Sequence, residues 1–362
     1  MVPNQKRNIA FQSIFIGVSD RLYLQKAMKA TARYIALATP CFEEPLDVVI
    51  STACLVFRIA DNIEDCLYSI QEKKDLYEHL HLLIQDASSV ERIYEHWTQL
   101  HWPGLTTEER QLMCIEEGVK LWKIFFSFPD FIQASISRWL EEMISKTSEL
   151  ISVNDNSKIL LVGEIAILAS EEIYNRYCSF VAGTTSHMLT ELANSFYNIV
   201  PQQAEKLSNL SEDCGRSLQK INIIRDFRKD LLERKLCYLP KTWMDEVALR
   251  PLRLEDAPLQ WKRMVILDAL QSVNQSIDYV LTIPENATGF KLATLIALLY
   301  AYQTLFFASR RHQNLFTPDH FIKISRKTFL QCFTDAQSML NDNRQLLNYS
   351  QDLQEKINLS LR

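Results

Sequence analysis

Residues 219–232 read QKINIIRDFRKDLL, with Asp226 and Asp230 four apart in a stretch of strong helical character. On an α-helix, residues four apart are neighbours, roughly 5–6 Å between Cβ atoms, and like charges at that spacing repel. Gln219, Asn222, Asp226 and Asp230 follow a 3-4-4 rhythm, so one helical stripe carries four side chains that can offer oxygen. By helical position Lys220, Arg225, Arg228 and Lys229 lie off that stripe. Such a donor set suits a hard cation. Mg²⁺ takes oxygen ligands at about 2.0–2.1 Å, keeps several waters, and is usually held by one or two carboxylates plus substrate phosphates. Read alone, the stretch is more simply a solvated helix face.

A second stretch changes that balance. Residues 54–66, CLVFRIADNIEDC, place Asp61 and Asp65 four apart, with Glu64 between them and Arg58 one turn before Asp61. On a helix Arg58, Asp61 and Asp65 share a face, while Leu55, Val56, Phe57, Ile59, Ala60 and Ile63 are core-like. An isolated pair of this kind is ordinarily an acidic patch tied to its arginine. Two such faces opposing one another would hold metal ions over a diphosphate, and the cations would remove the repulsion within each pair.

Residues 174–192, YNRYCSFVAGTTSHMLTEL, read as an aromatic-rich helix with Gly183 inside it. A helix-interior glycine costs roughly 1 kcal/mol against alanine, so it has a packing or ligand reason. Tyr174, Tyr177, Val181 and Thr184 or Thr185 recur on one face. Core packing and the wall of a cavity for an apolar chain both fit that periodicity.

The rest of the chain is consistent with helices. It has 362 residues, only seven glycines, 47% apolar and 10% aromatic residues, which suits an all-α protein with a large core and argues against a Gly-rich nucleotide fold. A net charge of −5 gives no global field to recruit nucleic acid. Prolines fall between apolar-periodic segments and leave 46–102, 130–200 and 202–239 uninterrupted, so these intervals read as helices of 15–30 residues or hairpins of them, with SVNDNSK (152–158) as a turn. No strand run with a hairpin signal and no repeat or linker stands out, and one all-α domain over 1–362 is the expected architecture. The eight cysteines show no CxxC or Cys/His metal spacing and read as free thiols of a reducing, cytoplasmic compartment. NIAFQSIFIGV (8–18) reads as a first helix rather than a cleaved signal, and FKLATLIALLYAYQTLFF (290–307) as a buried core helix rather than a membrane anchor, with peripheral membrane contact left open.

These three stretches, in this order, resemble the squalene/phytoene synthase family of head-to-head prenyl transferases. RIADNIEDC resembles its first aspartate motif, YCSFVAG its YCxxVAG helix, and LQKINIIRDFRKD followed by YLP its second aspartate motif; TARYIALATPCFEEPL (31–46) is similar to a degraded SxSF segment. The likeness spans roughly 30–330 and implies a class I isoprenoid synthase bundle with a central apolar cavity. It implies that Asp61 and Asp65 hold Mg²⁺ and that Arg58 touches a diphosphate. Asp226 and Asp230 would hold the second Mg²⁺, supported by Asn222 and Gln219, with Arg225 beside them on the substrate. Tyr177 would sit where the first cation forms and loses its proton, with Val181 and Gly183 on the same pocket wall. Thr31 and Tyr34 take the SxSF positions, Arg33 compensating for an altered basic residue there.

For the product, KLCYLP is closer to phytoene and bacterial forms, whereas LQKINIIRDF and FIKISRK (321–327) are similar to squalene synthases. On that analogy Lys323 and Arg326 are NADPH phosphate contacts. The implied activity is condensation of two farnesyl diphosphates through presqualene diphosphate to squalene, with Mg²⁺ and NADPH. Dehydrosqualene or phytoene formation without NADPH, a class I terpene cyclase, and an inactive lipid-binding or assembly factor are the alternatives.

Overall fold

The apolar runs between the prolines fold as helices, of which the longest are Leu46–Asp65, Asp130–Leu150, Pro201–Glu233 and Thr288–Ser309. Pro201 starts its helix at a position where a missing N–H costs nothing. The computed structural model describes residues 11–31, 35–150, 157–243, 258–317 and 321–362. The chain forms two compact units, Met1–Ser148 with His187–Ser208, and Glu149–Ser186 with Asn209–Arg362.

In the first unit, Leu46–Asp65 is buried on every side but one. Val18–Thr31 packs along it, Arg21 donating to Asp47 at 2.9 Å and pairing with Glu44 at 3.0 Å. Ile70–Gln85 follows behind a capping box in which Ser69 and Glu72 satisfy each other's backbone N–H groups. The core between Val90–Thr98 and Ile115–Phe126 is aromatic. Trp122 Nε1 donates to the Tyr94 hydroxyl at 3.1 Å, and Gly118 lies so close to the Tyr94 ring that a Cβ there would come within 1.9 Å of it. The NIAFQSIFIGV run departs from expectation. Residues 8–10 lie outside the described residues, residues 11 and 12 are helical, residues 14–17 are not, and the next helix begins at Val18.

The second unit is built around Thr288–Ser309, packed against Leu259–Gln275, Arg326–Met339 and Asn343–Ser360. This helix is long and apolar enough to cross a membrane, with mean hydropathy 1.6, yet 72% of that window is buried inside the protein. It is a core helix, as its interior lysine and glutamine imply.

A small sheet interrupts the expected all-helical course. Strands β1 (Ile159–Val162) and β2 (Ile165–Leu168) pair antiparallel, from Ile159 opposite Leu168 to Val162 opposite Ile165. Gly163, with φ of 63°, takes the first central position of their two-residue turn, where positive φ matches the strand twist. A single Gly-Glu turn between two four-residue apolar runs is the signal that helical periodicity obscured. Of the segment read as a turn at 152–158, residues 152–156 lie outside the described residues. Strand β3 (Leu236–Cys237) joins β2 in parallel, and the Ala166 N–H donates to the Lys235 carbonyl at 2.9 Å. All eight cysteines are unbridged.

Candidate active site

Along Leu46–Asp65 the side chains that are not buried are Asp47, Ser51, Cys54, Arg58, Asp61 and Asp65. Their spacing of 4-3-4-3-4 is one continuous helical stripe. The two aspartates therefore lie at the end of the single open face of an otherwise interior helix. Arg58 Nη1 lies 3.2 Å from Asp61 Oδ2, each side chain 26% exposed. The helix C-terminus is held from two sides. Buried Asn62 donates to the Glu109 carbonyl at 3.0 Å, and Lys73 Nζ donates to the Glu64 carbonyl at 2.6 Å, one of the carbonyls that a helix end leaves without an intrahelical partner.

Lys73 and Tyr77, one turn apart on Ile70–Gln85, were not legible as site residues. Burial, together with the charges of Glu64, Asp61, Cys66 and Asp65, pushes the Tyr77 phenol well above its usual range, so a neutral hydroxyl borders the carboxylates. Desolvation likewise pushes the Cys54 thiol up to about 12, with Arg58 opposing, so it stays a thiol on the same stripe. Nothing in the motif spacing points to the following helix; only its packing does.

The second face lies on Pro201–Glu233. The Asn222 amide donates to Gln219 Oε1 at 3.4 Å, so these two meet on one stripe as the spacing predicts. Asp226 is accessible, its side chain 42% exposed, whereas Asp230 is only 7% exposed. The basic neighbours are not all turned aside. Arg225 curls back to grip both oxygens of Asp226 with Nε and Nη2 and donates to the Tyr300 hydroxyl at 3.2 Å through Nη1. Arg234 Nη1 donates to Asp230 at 2.9 Å. A guanidinium is long enough to leave its own helical position for a nearby carboxylate, which a wheel of Cβ positions does not show. Lys220 does point away: it is buried and paired with Asp268 at 2.9 Å. Arg228 also points away, over the Phe321 ring at 4.9 Å.

Tyr177 is buried near the end of Glu171–Cys178. The helix read across 174–192 is continuous but carries one π-turn: at Ser179–Gly183 the Thr184 N–H reaches the Ser179 carbonyl. Such bulges widen the helix and interrupt its ladder. The Thr184 hydroxyl donates to the Phe180 carbonyl at 2.7 Å and Thr185 to Val181 at 3.1 Å. Gly183 is buried, and a Cβ on it would meet Glu212 Cγ at 3.1 Å. Gly215, across from it on Pro201–Glu233, is the tighter contact. A Cβ there would meet the Ala182 carbonyl oxygen at 2.2 Å and Gly183 Cα at 2.9 Å. Tyr177 stacks on Tyr238, centroids 4.5 Å apart and planes 16° from parallel. The sheet causes this contact: β3 ties the chain leaving the second acidic helix to β2, which leads into the Tyr177 helix.

The remaining expected positions are less concentrated. The Thr31 hydroxyl is used on the Ala27 carbonyl at 2.9 Å, and Arg33 and Tyr34 lie outside the described residues. Lys323 and Arg326 are exposed, in a segment whose Ile322 and Ile324 turn inward. Ser325 caps the helix that Arg326 begins.

The donor chemistry of each face fits a hard cation. The first face offers carboxylate oxygens and the second carboxylate and amide oxygens, partly open on Asp61 and Asp226, with an arginine beside each already supplying positive charge. Among the described residues no three His, Cys, Asp or Glu side chains gather as a metal cluster. The first face offers the pair Asp61 and Asp65, and the second offers Asp226, with Asp230 held by Arg234 behind it; one or two carboxylates suffice for Mg²⁺ when phosphates and water complete its shell.

The squalene/phytoene synthase family profile matches residues 28–327. Squalene synthase R6 of a Phoma species is 25% identical over 98% of this chain and 83% of its own length. Rat squalene synthase is 21% identical over 95% of this chain and 78% of its own. A bifunctional lycopene cyclase/phytoene synthase of Phaeosphaeria nodorum is 25% identical over 75% of this chain and 43% of its own. In fold, the chain superposes on TcSQS in complex with the ligand BPH1237 with a TM-score of 0.75 at 19% identity, covering 94% of this chain and 91% of that one. A dehydrosqualene synthase with bound ligand gives 0.58 at 16% identity, over 89% and 96%.

Proposed function

This chain belongs to the squalene/phytoene synthase family, and from that premise we propose that it condenses two farnesyl diphosphates head to head, through presqualene diphosphate, to squalene, with Mg²⁺ and NADPH. The observation that carries the reading is the recurrence of one arrangement on two long helices. In each, an accessible aspartate, Asp61 or Asp226, stands beside an arginine that can pass from carboxylate to phosphate, with a second aspartate one turn further on.

Asp61 and Asp65 on one face, and Asp226 with Asp230 and the amides of Asn222 and Gln219 on the other, would hold the metal. When bound, Mg²⁺ supplies the positive charge that stabilises a departing diphosphate. Arg58 and Arg225, freed from their aspartates, would donate to diphosphate oxygens, and Lys73 would keep the first helix end in place. Tyr177, backed by Tyr238, would present a π-face and a hydroxyl to the allylic cation formed as diphosphate leaves. Attack by the C2–C3 double bond of the second substrate, then proton loss, closes the cyclopropane of presqualene diphosphate. The chain's other task is to exclude water, which would quench the cations as alcohols. Lys323 and Arg326, exposed and cationic, would take the phosphates of NADPH for the final hydride transfer. The named squalene synthases among its relatives support squalene over phytoene.

The test is incubation with farnesyl diphosphate and Mg²⁺, with and without NADPH, followed by hydrocarbon analysis. Squalene formed only with NADPH is the expected result. Dehydrosqualene regardless of NADPH would move the reading to the non-reducing members. A cyclic C15 product, or no turnover of any prenyl diphosphate, would overturn it.

A further inference from the structure

The outer stripe of the Val18–Thr31 helix belongs to neither acidic face. Val18, Leu22, Gln25, Lys26 and Lys29 are exposed along one side of it, and Phe15 directly precedes it. Phe15, Val18 and Leu22 are 91%, 76% and 60% exposed, while Leu24 and Met28 on the other side are buried. At 100° per residue, Val18, Leu22, Lys26 and Lys29 fall within a quarter turn of one another. No Asp or Glu interrupts them. The neighbouring Arg21 is turned to Asp47 and Glu44 at 2.9 and 3.0 Å and so leaves the stripe to the two lysines. The surface is apolar at its N-terminal end and basic at its C-terminal end.

We propose that this stripe docks on an anionic lipid surface, with Phe15, Val18 and Leu22 entering the boundary between headgroups and acyl chains and Lys26 and Lys29 resting on anionic headgroups. Water meets three large apolar side chains here at a cost that a bilayer interface removes, and the two lysines at the other end of the stripe match a layer of anionic headgroups. Each lysine near an anionic leaflet adds about 1 kcal/mol, roughly five-fold in partitioning. A protein partner fits less well. Three side chains fall far short of the about 800 Å² per partner of a stable protein–protein interface. The proposal rests on the geometry of this helix and not on the reaction assigned above.

The experiment is co-sedimentation of the full chain with phosphatidylcholine vesicles, with and without admixed phosphatidylserine. Binding is expected to the phosphatidylserine vesicles and to weaken with added salt. Lys26→Gln with Lys29→Gln should reduce it about 25-fold, from two factors of roughly five. Phe15→Ser with Leu22→Ser should abolish it even on anionic vesicles. Both variants should keep the parent's thermal midpoint and its turnover in detergent. No binding by the parent, equal binding to neutral vesicles, or unchanged binding by both variants would overturn the proposal. A change in oligomeric state in place of vesicle release would assign the stripe to a second copy and overturn it equally.

Discussion

Gly215→Ala is a sharp probe of how the Tyr177 segment is held. In an exposed helix interior this change stabilises by about 1 kcal/mol, because alanine restricts the unfolded chain and favours the helix. At Gly215 the new methyl would lie 2.2 Å from the Ala182 carbonyl oxygen, 2.6 Å from its carbon and 2.9 Å from Gly183 Cα. All three obstructing atoms are backbone, so no side chain can rotate away and the two elements must part by about 1 Å to reach ordinary contact. Overpacking of this kind costs typically 1–3 kcal/mol, and a backbone obstruction belongs at the upper end. Subtracting the propensity gain leaves a net loss of roughly 2 kcal/mol, a thermal midpoint lower by about 3 °C for a chain of this length. Separation also moves the π-turn and Tyr177, so turnover of prenyl diphosphate should fall more than stability alone explains. Thermal unfolding followed by circular dichroism, with product formation assayed well below the midpoint, measures both effects. Gly183→Ala, whose contact is a side-chain carbon at 3.1 Å, should be milder. A Gly215→Ala protein as stable as its parent would refute the packing reasoning.

Asp61→Asn and Asp226→Asn should each lower turnover by at least about 100-fold, as loss of electrostatic stabilisation at the reacting group does, with an unchanged circular dichroism spectrum. Near-normal rates in either would remove that face from the metal assignment. Lys323→Ala with Arg326→Ala should raise the KM for NADPH while presqualene diphosphate still forms, and an unchanged KM would place the cofactor elsewhere. The His79 imidazole is held below its usual 6.5 by burial and by His96. The unfolded chain therefore binds that proton more readily, so stability falls as pH drops through about 6.5. His79→Phe should flatten the loss of thermal midpoint between about pH 7 and about pH 5.5, and an undiminished slope would exclude His79 as a source.

The arginines bear on how the two faces work. Asp61 and Asp226 are each matched by a guanidinium within hydrogen-bond or ion-pair distance, so without metal neither face carries the full repulsion that the bare sequence implies. Arginine suits this role because its planar fork binds carboxylate and phosphate alike. Asp230 differs, since its pair with Arg234 is almost wholly buried and breaking it would expose an uncompensated charge.

The sequence by itself determined the class of fold and the two acidic stripes. Low glycine, prolines confined to boundaries and apolar runs of helical period leave little choice but helices, since each local choice agrees with the next. The i,i+4 aspartates are a property of helix geometry, legible wherever a helix is certain. What needed the folded chain were the contacts between elements distant in sequence. The hairpin around Gly163 was hidden because four-residue apolar runs fit either period. Gly215 read as one more helical residue until its distance to Ala182 set its role. Lys73 and Tyr77 join the first site only because one helix packs on the next. The flank KLCYLP, which as sequence bore only on the product, acquires a structural meaning when β3 binds β2 and Tyr238 stacks on Tyr177. Periodicity records which side of an element faces inward; which residue it meets there is decided by packing, and packing is a property of the whole chain.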